Sequence, residues 1–110
     1  MDLTQKKCKP CEGDTKPMPT DEAKKLLGEI PSWKIEKGRL LKEFKCRDFK
    51  EAIEFVNEIA ALAEREGHHP DVAIHWSRVV LEIWTHAIKG LSENDFILAA
   101  KIDEIYQKFE

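Results

Sequence analysis

Apolar positions along the chain recur with two different spacings, and the places where the spacing changes divide it into elements. After residue 20, Ala23, Leu26, Leu27 and Ile30 fall three or four apart, the repeat that stacks side chains on one face of a helix. Thr20 or Asp21 is its expected cap, and Gly28 with Pro31 its expected stop. Trp33 and Ile35 then alternate with Lys34 and Glu36, and Leu40, Lys42, Phe44 and Cys46 alternate with Leu41, Glu43 and Lys45. That period of two reads as a pair of strands, with Lys37, Gly38 and Arg39 as the turn of a hairpin.

Helical spacing returns at Phe49, Ala52, Ile53, Val56, Ile59, Ala60 and Ala63, behind a capping Asp48 with Glu51 three residues on. The apolar surface of this long helix is wider than one stripe, because Phe55 and Leu62 add a second line beside Ile59. Either that line is an oligomer contact or the whole broad face is tucked under the sheet; spacing allows both. Gly67 ends the helix, His68, His69 and Pro70 connect, and two extended segments follow at 72–76 and 79–85, with Ser77 and Arg78 as the expected turn. Gly90 closes the next loop. Ser92 and Asp95 then resemble a capping box, opening a last helix with Leu98, Ile102, Ile105 and Phe109 on one stripe.

The order α-β-β-α-β-β-α, with each strand pair joined by a short turn, predicts an α+β fold: a four-stranded antiparallel sheet with helices packed on one face. Residues 1–19 are rich in Lys and Pro and poor in apolar side chains, so they are expected to form a flexible tail ahead of one domain over 20–110.

Composition narrows the class. The chain has 110 residues, enough for one small domain that gains from self-association. Eighteen basic and 21 acidic side chains leave a formal charge of −3, which supplies no field to draw it onto nucleic acid. No apolar run is long enough to span a membrane, and the first thirty residues are too polar for a signal peptide. The expectation is a cytoplasmic protein. Cys8, Cys11 and Cys46 are then read as reduced thiols, not a disulfide framework.

Three of the four histidines stand where chemistry is expected. His68 and His69 follow the long helix, and His86 follows the last strand; antiparallel pairing returns the chain to the same end of the sheet, so one pocket could hold all three. Imidazole titrates near pH 6.5, so one ring can give a proton while another takes one. Any single histidine is more often a satisfied surface or core residue, and His75 is assigned such a role. Zinc is the rival use of three histidines. Adjacent residues of an extended connector point to opposite sides, which sets His68 and His69 apart as ligands of one ion. Cys8-Lys9-Pro10-Cys11 has the gap of a zinc knuckle or redox pair, but lacks a second ligand pair and the strand-to-helix context of a redox site. An exposed tail is preferred, with metal binding between subunits as the alternative. Cys46 reads as a small buried hydrophobe. Trp33, Trp76 and Trp84 are assigned to strands, where aromatics pack into core or interface; only Trp33, at the start of its strand, is also a candidate for stacking on a ligand.

Taken together, Glu64-Arg65-Glu66-Gly67-His68-His69-Pro70, Trp76, Thr85-His86, Gly90-Leu91-Ser92-Glu93 and Asp95 resemble the signature of the pterin-4a-carbinolamine dehydratases. Lys7-Cys8-Lys9-Pro10-Cys11-Glu12-Gly13 resembles the amino-terminal segment of microbial members. The resemblance implies the sheet-and-helix fold already read from periodicity. It also implies a hydro-lyase that dehydrates 4a-hydroxytetrahydropterin to quinonoid dihydropterin in tetrahydrobiopterin recycling, with no cofactor and no metal. His68 and His86 are the implied proton-transfer groups. His69 is implied to bind the pterin; Glu64 and Asp95 match acidic positions near the site, and Pro70 and Trp33 complete the expected substrate-binding set. Val72 and His75 depart from the bulkier or more polar residues frequent there. Implied partners are the small-molecule pterin and copies of the same chain, as homodimer or homotetramer, with neither direct nucleic acid nor membrane. Two alternatives remain beside this one: another pterin, as in molybdenum cofactor metabolism, or a non-catalytic protein-binding or dimerisation module.

Overall fold

In the computed structural model, residues 3–9 and 16–109 are described. They form three α-helices and four strands in the expected order: α1 (Thr20–Leu27), β1 (Lys34–Glu36), β2 (Arg39–Lys45), α2 (Phe49–Glu66), β3 (Asp71–His75), β4 (Arg78–Ile83) and α3 (Glu93–Tyr106). The sheet order is β1-β2-β4-β3, and every neighbouring pair is antiparallel. Register sets Leu40 opposite Ile83, Phe44 opposite Val79 and Ile74 beside Val79. These positions share one face because strand side chains alternate, and that face carries the core with Phe55, Ile59, Phe96, Leu98 and Ile102 of the helices. The opposite face is polar and cross-linked by Arg39 to Glu82 at 3.1 Å and Arg78 to Glu43 at 2.6 Å.

Local chemistry accounts for most boundaries. The Asp48 carboxylate accepts the Glu51 N–H at 2.8 Å, and Gly67 closes α2 in the left-handed region at φ 66° while its N–H reaches the Ala63 carbonyl; both satisfy groups that a helix end leaves unpaired. At α3 the Ser92 and Asp95 capping box is formed. Helix α1 differs from expectation. Pro19 is its N-cap, with no side-chain cap, and Thr20 lies inside the helix. The β1–β2 turn is two residues, Lys37 and Gly38, both at positive φ, which matches the twist of a tight hairpin.

The second hairpin turns one residue earlier than expected. His75 pairs with Arg78, so the loop is Trp76-Ser77, and Trp76 takes φ 56° and is 73% exposed. A tight turn between two strands demands positive φ, and without a glycine there the sequence carries no local sign of it. Trp76 is therefore a turn residue, not a packed strand aromatic. His75 is the exposed last residue of β3.

Packing decides a question that spacing left open. Phe55 and Leu62 are buried within the single chain; Phe55 packs on Phe44, Tyr106 and Phe109 with ring centroids 5.0, 5.3 and 5.6 Å away. The second apolar line of α2 is thus core beneath the sheet and α3, and no free face for another copy. At the amino terminus, expected as a tail, the described parts pack on the domain. Leu3, in a short 3-10 turn Leu3–Gln5, is buried in the core, and Met18 donates its N–H to the Leu91 carbonyl. Pro17 lies so close to Gly90 that a Cβ there would meet it at 2.8 Å. Helix α3 is buried on more than its predicted stripe, from Asn94 through Ala99. Pro10 to Thr15, Cys11 included, fall outside the described residues.

Candidate active site

The connector after α2, the end of β4 and the start of α3 meet at one end of the sheet. Pairing of Asp71 with Glu82 brings the residues before β3 beside those after β4, as hairpin geometry requires. A cavity of about 320 Å³ opens there, lined by His68, His69 and Pro70 on one side and Trp84, Thr85 and His86 on the other, with Lys9 and Asn94 at a third. The volume is at the lower end for small-molecule sites.

His68 is held from behind. Its Nε2 lies 2.5 Å from Oδ1 of Asp95, which is fully buried. The other oxygen of Asp95 accepts the Thr85 hydroxyl at 2.9 Å and the Ser92 backbone N–H at 2.8 Å. A buried carboxylate is tolerated only with such donors around it. The N-terminus of α3 adds a favourable field for negative charge. With the carboxylate accepting, the shared proton belongs on His68 Nε2 and the lone pair on Nδ1.

His69 turns to solvent, as neighbours in an extended segment do. Its Nε2 meets the exposed carboxylate of Glu64 at 2.6 Å, five residues back on α2. His86 opens a 3-10 turn, His86–Ile88, and lies against the Trp84 indole with ring centroids 4.0 Å apart. That indole is itself fixed, donating to Asp71 at 3.3 Å and lying under the Arg39 guanidinium at 4.2 Å.

Of the residues singled out beforehand, His68, His69, Pro70 and His86 line the cavity, and Glu64 and Asp95 orient two of them. Trp33 does not join them. It is buried in the core and its indole N–H is shared by the two Asp103 oxygens at 3.0 and 3.1 Å, which makes it a packing residue. Sequence reasoning missed Lys9, Asn94, Thr85 as a hydroxyl donor and Trp84 as a wall. Thr85 stood beside His86, but its tie to Asp95 depends on the loop that returns through Gly90. Among the described residues no group of three His, Cys, Asp or Glu side chains is arranged to hold a metal ion. Cys8 points its Sγ at the Asn94 carbonyl, 3.6 Å away. Burial, then Glu66 beside it, pushes that thiol up to about 12, so it stays protonated and unreactive at neutral pH.

Comparison with known proteins finds relatives along most of the chain. The family model described as pterin 4 alpha carbinolamine dehydratase matches residues 16–105. A relative from Rickettsia bellii, provisionally named a pterin-4-alpha-carbinolamine dehydratase, is 55% identical over 103 residues, which cover 92% of this chain and 91% of the relative. One from Saccharophagus degradans with the same provisional name is 46% identical over 110 residues, covering 96% and 97%. Among solved structures, a transcriptional coactivator/pterin dehydratase from Brucella melitensis superposes with TM-score 0.78 at 27% identity, covering 81% of this chain and 97% of that one. A pterin dehydratase-like protein described as a RuBisCO assembly factor in the alpha-carboxysome shares the fold, with TM-score 0.56 at 22% identity over 66% of this chain and 84% of its own.

Proposed function

The chain belongs to the pterin-4a-carbinolamine dehydratase family, and from that premise we propose that it dehydrates a 4a-hydroxytetrahydropterin to the quinonoid dihydropterin by histidine acid–base catalysis. The observation that carries this reading is the His68–Asp95 pair facing a cavity shared with His86. Loss of water from a carbinolamine needs a proton delivered to the departing hydroxyl and another removed from the adjacent ring nitrogen as the C=N bond forms. His68, with Nε2–H committed to Asp95, offers the Nδ1 lone pair for the nitrogen proton. His86, against Trp84, serves as the acid at the hydroxyl. The proton taken and the proton given balance, so the enzyme returns to its starting state once the two histidines re-equilibrate through solvent.

In this reading His69, braced by Glu64, hydrogen-bonds the pterin at the open rim, with Pro70 stiffening the connector. Trp84 backs His86 and bounds the cavity on that side. The pathway that fits is recycling of the tetrahydropterin used by aromatic amino acid hydroxylases. The fold alone does not carry the activity, since a related fold belongs to a protein described as a RuBisCO assembly factor; the histidine cluster does.

The test is the dehydration rate of freshly generated 4a-hydroxytetrahydropterin, followed by ultraviolet absorbance, for wild type, His68→Ala, His86→Ala and the double variant. Acceleration by wild type that falls roughly 100-fold or more in the double variant is the expected outcome. Folded wild type that does not exceed the spontaneous rate would overturn the reading and shift it to another pterin or to binding alone.

A further inference from the structure

The docked amino-terminal segment gives the pocket something the histidine elements lack. Among the lining residues, Lys9 is the side chain with a permanent positive charge, and the acid there, Asp71, accepts from the Trp84 indole. Building on the pterin reading above, we propose that Lys9 is a substrate-binding residue whose ammonium donates to an acceptor on the bound pterin, the ring carbonyl oxygen being the strongest available, and that the segment Lys6–Lys9 exists to hold it there.

Lys9 is held by its backbone, and among the described residues no hydrogen bond ties down its ammonium. The Asn94 amide grips the residue both ways, accepting the Lys9 N–H at 2.8 Å and donating to the Lys9 carbonyl at 2.5 Å. One residue back, the Cys8 N–H donates to Glu66 at 2.9 Å, and further back Lys6 pairs with Glu93 at 2.9 Å. Leu3 anchors the start of the segment in the core. Among the described residues, no carboxylate lies within ion-pair distance of the Lys9 ammonium.

The two grips sit beside the catalytic pair. Asn94 precedes Asp95, and Glu66 lies two residues before His68, so the position of Lys9 is registered to the His68–Asp95 hydrogen bond. An ammonium offers three donors and no acceptor. On the rim of a half-enclosed groove its hydrogen bond to a ligand acceptor is stronger than one between neutral groups. Such a contact is present before and during the reaction alike, so it acts on binding and leaves the chemical step alone.

The experiment compares wild type, Lys9→Met and Lys9→Arg in two measurements: KM and kcat for dehydration, and the Kd of a non-reactive 7,8-dihydropterin read by quenching of tryptophan fluorescence, to which Trp84 in the pocket wall contributes. Lys9→Met is expected to raise KM and Kd about 10-fold with kcat within about 2-fold. Lys9→Arg should recover most of the loss, and melting temperatures should agree, since every grip on the segment is through backbone or other side chains. Wild type that binds the dihydropterin while Lys9→Met binds it equally well overturns the inference alone. Wild type that neither binds the dihydropterin nor accelerates dehydration removes the pterin reading and the inference with it.

Discussion

Asp95 does two jobs with one carboxylate. As the third residue of α3 it accepts the Ser92 N–H and completes the capping box, and from the same buried position it accepts from Thr85 and His68. Only an ionised carboxylate can accept from all three donors at once. Asp95→Asn keeps the shape but puts an N–H₂ group where a donor already points. The expected result is a fall in kcat/KM of about 10- to 100-fold, the usual size for losing the partner that orients a working histidine. Far-ultraviolet circular dichroism should still show a folded chain; unchanged kcat/KM would mean that His68 needs no such brace. The capping half of this residue's work was readable from Ser92 and Asp95 alone. Its bond to His68, 27 residues away, was not, because nothing local encodes it.

Helix α2 shows what a single turn of backbone does for the site. Gly67 must take φ 66° to stop the helix and redirect the chain into His68. A Cβ built at Gly67 has nothing within 4 Å, so a substitution there meets no clash, and its cost is the left-handed backbone itself. Gly67→Ala should therefore destabilise by about 1 kcal/mol, measured by urea unfolding with the slope unchanged. A loss several times larger would point to displacement of the connector. The end of α2 was legible from this glycine and the cap from Asp48. The fate of its broad apolar face was not, since spacing cannot distinguish a core face from an interface; the Phe44–Phe55–Tyr106 cluster decided it.

At the scale of the molecule, the amino-terminal segment, α2 and α3 are tied through Glu66. Its carboxylate accepts the Cys8 N–H at 2.9 Å and the Lys101 ammonium at 3.0 Å, with side-chain exposure of only 5%. Burial pushes its pKa up, but the Cys8 N–H and Lys101 outweigh burial and hold it below the usual 4.5. A carboxyl whose pKa is lower folded than unfolded binds protons more weakly in the native state. It therefore contributes stability in full above pH 4.5, and that contribution is lost as pH falls through the depressed value. The gap in unfolding free energy between wild type and Glu66→Gln should be widest near pH 6 and shrink toward about pH 3. A gap independent of pH would show that Glu66 acts by packing and hydrogen bonding without its charge.

Periodicity, caps and turn residues by themselves determined which segments are helix and strand, and that two hairpins separated by a helix close into one antiparallel sheet. The placement of three histidines at element ends was also in the sequence, because hairpin return is a matter of topology. What only the tertiary structure decided is long-range: that Asp95 reaches His68, that Trp33 belongs to the core and Trp84 to the pocket, and that residues 3–9 dock and deliver Lys9. The physical reason is the same in each case. Local spacing reports which way a side chain faces along its own element, whereas the partner that satisfies a buried carboxylate, an indole N–H or an unpaired backbone group is set by which distant element packs there.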